Sequence, residues 1–302
     1  MAASIPKTPF ALLSGSAGWG LRFPEDLALP GVRVLERWTS FETPWGAVGN
    51  WQALELDGRL TADGQARTVL NVFSHGWPND AIDHGAHRKV AWVLREAGAT
   101  KVLADSTCGS LNKALQPRDL VIARDVIDFT QTQHSVMAGR LRHQSYANQL
   151  FCPSLAATLE ATARAAWPAP GRVLGHGHHV VAAHNWGPRF TSRAEARAYQ
   201  MLGGDVINQS IGPEASAMRE IGACFASSSY IVCWEDGIVD APGEPIDPIH
   251  HALAKAATRI SLLAMARAEA TEACGCRALR VERAPEYAGF APGYDAGPSN
   301  EA

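Results

Sequence analysis

Residues 68–111 read TVLNVFSHGWPNDAIDHGAHRKVAWVLREAGATKVLADSTCGSL, and their reading decides the fold. TVLNVF (68–73) is an apolar, β-branched run that ends at Ser74-His75-Gly76, which predicts a strand. HGAHRKVAWVLREAG (84–98) sets Val90, Val93, Leu94 and Ala97 on one face and stops at Gly98, as a core-facing helix does. KVLA (101–104) predicts the next short strand. The chain then leaves it through DSTCGSL (105–111), which gathers small hydroxyl residues and a cysteine around one glycine. Strand, helix, strand in this order indicates an α/β fold that delivers ligand loops at the carboxyl ends of its strands. A turn of hydroxyls and backbone N–H groups at such a place suits an anion, although an ordinary turn uses the same residues.

The alternation continues outward. DLVIARDVIDF (119–129) and RVLGHGHHVVAA (172–183) each predict a strand, and SLAATLEATARAAW (154–167) predicts a helix stopped by Pro168. Ser192-x-x-Glu195 is a capping box that opens the next helix. DVINQSI (205–211) is strand-like, and Pro213 starts a short helix that stops at Gly222. ACFASSSYIVCW (223–234) predicts a strand of small residues. A long final helix over 248–273 carries Leu253, Ala257, Ile260 and Ala264 on its core stripe. No linker interrupts this pattern, so one domain is expected over 1–283, followed by a mobile tail rich in Gly, Pro and Ala over 284–302.

The composition narrows the function classes. With 46% apolar and 19% charged residues in 302, the chain buries a core and is not disordered. A net charge of −3 argues against nucleic acid as a partner. No stretch approaches the roughly 20 apolar residues of a membrane helix, and MAASIPKTPF lacks a signal-peptide core, so a cytoplasmic location is expected. The cysteines at 108, 152, 224, 233, 274 and 276 read as reduced thiols. Cys274-Gly275-Cys276 alone is a weak metal or redox signal, and His176, His178 and His179 do not share one face of a strand, so no metal is assigned.

Four small polar clusters fall at strand ends: Ser14 to Gly18, Ser74 to Gly76, Asp105 to Gly109, and Asn208 to Ser210. With Gln116-Pro117-x-Asp119, GPRFTSRAE (187–195), Gly204-Asp205-Val206-Ile207-Asn208 and Pro213-Glu214, they resemble the purine nucleoside phosphorylase and 5′-methylthioadenosine phosphorylase family over roughly residues 10–265; residues 25–68 match poorly. The resemblance implies a mixed, partly barrel-like sheet flanked by helices and a homotrimer. It also implies cleavage of a purine nucleoside's N-glycosidic bond, with inorganic phosphate as co-substrate and no other cofactor.

The same resemblance assigns phosphate to Ser106 and Ser210, with Ser16 as a substitute for the hydroxyl missing at Ala17, and sets Thr107 beside sugar or base. Ser74-His75 stands where an arginine–histidine pair is usual, so the permanent cation is lost; Arg88 or Lys89 would have to reach in from the next helix. Phe190, Asn208, Gln209 and Cys233 fall at base and ribose positions, and His143 in a segment that reaches a neighbouring subunit. Glu235 or Asp236 is the candidate general acid for the departing base, in place of the family's Asp-x-Asp. A phosphate-independent hydrolase, with Asp105 or His75 as base, and a non-catalytic nucleoside-binding protein are the alternatives.

Overall fold

The computed structural model describes residues 4–130, 135–136, 143–240, 244–271 and 274–282, with the side chains of 143, 144, 281 and 282 excepted. In chain order the strands are β1 (Phe10–Ser14), β2 (Val32–Phe41), β3 (Val48–Leu56), β4 (Arg67–Phe73), β5 (Lys101–Ser110), β6 (Leu120–Ile122), β7 (Asp125–Asp128), β8 (His143–Ser145), β9 (Val173–Leu174), β10 (Val181–His184), β11 (Val206–Asn208), β12 (Cys224–Trp234) and β13 (Arg280–Glu282). The helices are α1 (Ala86–Ala97), α2 (Pro153–Ala166), α3 (Arg193–Met201), α4 (Ile211–Glu220) and α5 (Ile246–Arg267).

Side-chain alternation along the central strands builds two cores, one on each face of the sheet. Ala11, Leu13, Leu70, Val72, Val102 and Ala104 face α1 and α4 and join Val90, Leu94, Ala215 and Met218. Phe10, Leu12, Val69 and Leu103 face the other way and join Leu155 and Leu159 of α2 with Leu253 and Ile260 of α5. The result is one mixed α/β domain with helices on both faces.

The sheet runs β2-β3-β4-β1-β5-β11-β10-β7, and β12 pairs with both β5 and β6. Strand β5 is therefore where the sheet divides. Its first half pairs with β1, from Phe10 opposite Lys101 to Ser14 opposite Asp105. Its far end pairs antiparallel with β11, Ile207 opposite Gly109 and Val206 opposite Ser110. Strand β12 runs parallel to it throughout, from Cys224 opposite Lys101 to Trp234 opposite Ser110. On the edge away from β12, residues 106–108 lie where β1 has departed and β11 has not yet arrived. Open sheets offer ligand crevices at such switch points.

Four expectations change. DSTCGS is strand, not a loop after KVLA: β12 supplies a ladder along its whole length, and tertiary pairing overrides the low β-preference of Asp, Ser and Gly. The 119–129 run divides into β6 and β7, because β6 pairs with β12 while β7 pairs with β10. The 172–183 run breaks at a 3-10 turn over His176–His178, so these histidines are not on a strand; the His176 N–H donates to Glu160 at 3.1 Å. Helix α5 ends at Arg267 rather than near 273. The tail 284–302 lies outside the described residues, as does His134.

Candidate active site

Around the β5 gap the polar clusters close into a ring of contacts. At the end of β1 the Gly15 N–H donates to the Asp105 backbone oxygen at 2.9 Å and to Asp105 Oδ1 at 3.1 Å. Next, the Ser16 hydroxyl pairs with Thr107 Oγ1 at 2.7 Å and accepts the Thr107 N–H at 3.0 Å. Ser16 thus turns toward Thr107 of β5. The Ser106 hydroxyl meets Ser229 of β12 at 2.6 Å and accepts from Asn208 Nδ2 at 3.1 Å. Asn208 Oδ1 in turn accepts the N–H groups of Ser210 and Ile211 at 3.2 and 3.1 Å, which fixes the start of α4.

Helix α4 carries Glu214, whose Oε1 lies 2.6 Å from His75 Nδ1, both side chains buried. His75 sits in the left-handed region at φ 56°, inside the short turn after β4. Its Nε2 edge packs on Gly15 so closely that any Cβ there would overlap the ring, which brings the ring back to the first loop. Burial alone would lower the His75 pKa, but the charge and hydrogen bond of Glu214, with Asp105 nearby, outweigh it and raise it. Glu214 thus holds the His75 ring toward its protonated form. Burial is also the main cause that pushes Asp105 up to about 6, against the Gly15 N–H, Ser261 and His75. The helix cations do not replace the missing arginine: Lys89 pairs with Asp83 at 2.9 Å, and Arg88 stacks on Trp45 at 3.5 Å.

The leaving-group end is built differently. Between Ile231 and Cys233 the β12–β5 register shifts by one residue, a bulge that re-aims the end of the strand. It brings the Glu235 carboxylate against Gly109, where any Cβ would overlap it. Burial, then the charge of Asp236, pushes Glu235 up to about 7. Asp236 itself is exposed, so of the two acids only Glu235 is withdrawn from water. The half-buried Cys233 is pushed up to about 12, by burial and then by these two acids, and is a neutral thiol.

The remaining predicted residues are less central. Gln209 Nε2 donates to the Arg189 carbonyl at 3.1 Å, so its amide ties down the 187–190 loop and is not simply turned to a ribose. Phe190 on that loop is 81% exposed in the single chain. His143 opens β8, and its side chain lies outside the described residues. Sequence reading gave no role to Glu214 or Ser229. Glu214 follows Pro213 in a quoted motif, but nothing in one sequence says that it faces His75.

A gap lined by hydroxyls and backbone N–H groups where the sheet divides, with a carboxyl of raised pKa beyond it, is suited to group transfer between an anionic nucleophile and a leaving group. Residues 57–267 match the family described as the phosphorylase superfamily, and the chain belongs to it. It is 29% identical to a probable 6-oxopurine nucleoside phosphorylase of Thermococcus kodakarensis, over 69% of this chain and 76% of that protein. It is 31% identical to a probable S-methyl-5′-thioinosine phosphorylase of Methanopyrus kandleri, over 68% of this chain and 75% of that protein. The fold is similar to that of a methylthioadenosine phosphorylase from an antarctic soil metagenomic library, with a TM-score of 0.67 at 21% identity, covering 86% of this chain and 85% of that one.

Proposed function

We propose that this enzyme cleaves the N-glycosidic bond of a purine or 5′-modified, methylthioadenosine-like nucleoside with inorganic phosphate as nucleophile. The observation that carries the reading is the ring of contacts in which Ser16, Thr107, Ser106, Asn208 and the His75–Glu214 pair gather around one gap in β5, with the Ser210 N–H tied to Asn208. Phosphate held there attacks C1′ as the bond to the base nitrogen breaks through an oxocarbenium-like transition state. The electron pair of that bond leaves with the purine, and Glu235 supplies the proton that neutralises it. The products are the free base and a sugar 1-phosphate. His75 is a weaker partner for the dianion than a permanent arginine, and Glu214 shares its proton, so hydroxyl and backbone dipoles carry more of the binding than in a site with arginine.

Phe129, Phe190, Met201 and Leu202 leave large apolar side chains exposed, which supports a homotrimer that covers them. Among the described residues no helix is long and apolar enough to cross a membrane, in keeping with a cytoplasmic enzyme. The test is base release from methylthioadenosine, adenosine and inosine, with and without phosphate. Release that depends on phosphate and yields a sugar 1-phosphate is expected. Equal release without phosphate would overturn the nucleophile and favour hydrolysis, the reading to which the lost arginine and the buried Asp105 lend support. Tight nucleoside binding with no release would leave a binding protein.

A further inference from the structure

Away from the active site, three remote parts of the chain bring four cysteines together. Cys152 caps α2, Cys224 opens β12, and Cys274 and Cys276 lie in the segment that leads to β13. Their four sulfur atoms all lie within 4.8 Å of one another. Cys152, Cys224 and Cys276 are buried and Cys274 half-buried. All four are free thiols, and Cys224 and Cys274 stand at 3.0 Å. A disulfide would need about 2.0 Å. A tetrahedral zinc with bonds of about 2.3 Å would set its sulfurs about 3.8 Å apart, a span that four atoms so clustered can adopt by small side-chain rotations.

Hydrogen-bond donors surround the sulfurs. Cys152 sits at a helix N-terminus and its sulfur accepts the Leu155 N–H at 3.5 Å, where Ser, Thr, Asp or Asn would ordinarily cap. The buried Lys101 ammonium donates to Cys224 Sγ at 3.5 Å. Gln149 Nε2 donates to Cys276 Sγ at 3.8 Å. The fully buried Arg219 donates to the Cys276 carbonyl at 2.6 Å and to the Gln149 carbonyl. Outer donors of this kind orient sulfur ligands and tune the ion they hold.

We propose that Cys152, Cys224, Cys274 and Cys276 form a structural tetrathiolate site for one zinc ion. Binding exchanges four thiol protons for one Zn²⁺ and leaves a centre of net charge −2, with Lys101 and Arg219 as the neighbouring buried cations. The ion fastens the segment before β13 to the first turn of α2 and the start of β12. Since β13 pairs with β8, it also steadies the strand that opens at His143. Sequence reading stopped at the Cys-Gly-Cys pair, because Cys152 and Cys224 lie far from it along the chain.

The full chain, purified under reducing conditions without chelator, is assayed for metal and separately titrated with Co²⁺. About one zinc per chain is expected, and a cobalt form with the intense sulfur-to-metal charge-transfer bands of a tetrahedral tetrathiolate. The Cys274→Ser/Cys276→Ser double variant loses both, whereas Cys108→Ser keeps them. Zinc also shields four of the six thiols from alkylation in the unaltered chain, a readout that does not need the variants to fold. Absence of metal after incubation with zinc, cobalt spectra without sulfur bands, a double variant that still holds zinc as tightly, or a disulfide between any of the four in freshly reduced protein would each overturn the site.

Discussion

The two ends of the active site reach readiness by opposite means. At the anion end every group is held by another: Ser16 by Thr107, Ser106 by Ser229 and Asn208, His75 by Glu214. At the leaving-group end Glu235 is shaped by withdrawal from water and by a like charge, which keep its proton near neutrality. The first end is preorganised by partners and the second by desolvation. A polar network fails as a unit when one member goes, whereas a desolvated acid fails by itself.

The largest effect is expected from Glu235→Gln, which keeps the shape and removes the transferable proton. Steady-state kinetics should show kcat lower by about 10²–10⁴-fold. In the unaltered enzyme the acid must be protonated, so activity falls as pH rises through about 7, and the variant loses that limb. A pH profile that keeps its alkaline fall in Glu235→Gln would assign the acid elsewhere.

His75→Ala tests the network. It strands the buried Glu214 carboxylate, at a cost of about 3–5 kcal/mol of stability in chemical denaturation. Adding Glu214→Gln should recover much of that stability while phosphate binding stays weak. Recovery of phosphate binding in the double variant would show that His75 acts only as Glu214's partner.

Asp105 carries a stability slope. Its folded pKa of about 6 lies above the ordinary 3.8, so the native state holds the extra proton between those values. The unfolded chain then binds fewer protons, and stability falls as pH rises from about 4 through about 6, by on the order of 3 kcal/mol in all. Asp105→Asn should flatten this slope and be more stable at neutral pH. If it keeps phosphate-dependent cleavage, Asp105 is no base; if base release disappears while nucleoside still binds, hydrolysis gains.

Gly109→Ala pushes a methyl group into the Glu235 carboxylate and should cost about 10²-fold in kcat, as a displacement of about 1 Å does, with modest change in melting temperature. The smallest effect is Ser192→Ala. It removes the capping-box acceptor of the Glu195 N–H, for about 1 kcal/mol of stability and no change in the pH profile.

What the sequence revealed follows from how local each signal is. Helix α1 with its Gly98 stop and the Ser192–Glu195 box are written in consecutive residues, and both stand where the pattern sets them. The continuation of β5 through DSTCGS is not local: it depends on β12, more than a hundred residues later. The same holds for the site. Ser106, Asn208 and Ser210 could be proposed from motifs, but the approach of Glu235 to Gly109, with Asp236 left exposed, depends on the bulge at the end of β12. Glu214 and the four-sulfur cluster are visible only once α4, α2 and the final segment fold back on the sheet.

Strand β2 ends the sheet on one side. Its pairing with β3 shifts register three times, Trp38 takes φ 57°, and Arg33, Glu36 and Arg37 lie along it. A free strand edge that is irregular and charged gives an incoming strand no continuous ladder to extend. Concentrated protein is thereby guarded against edge-to-edge growth into fibres at this side.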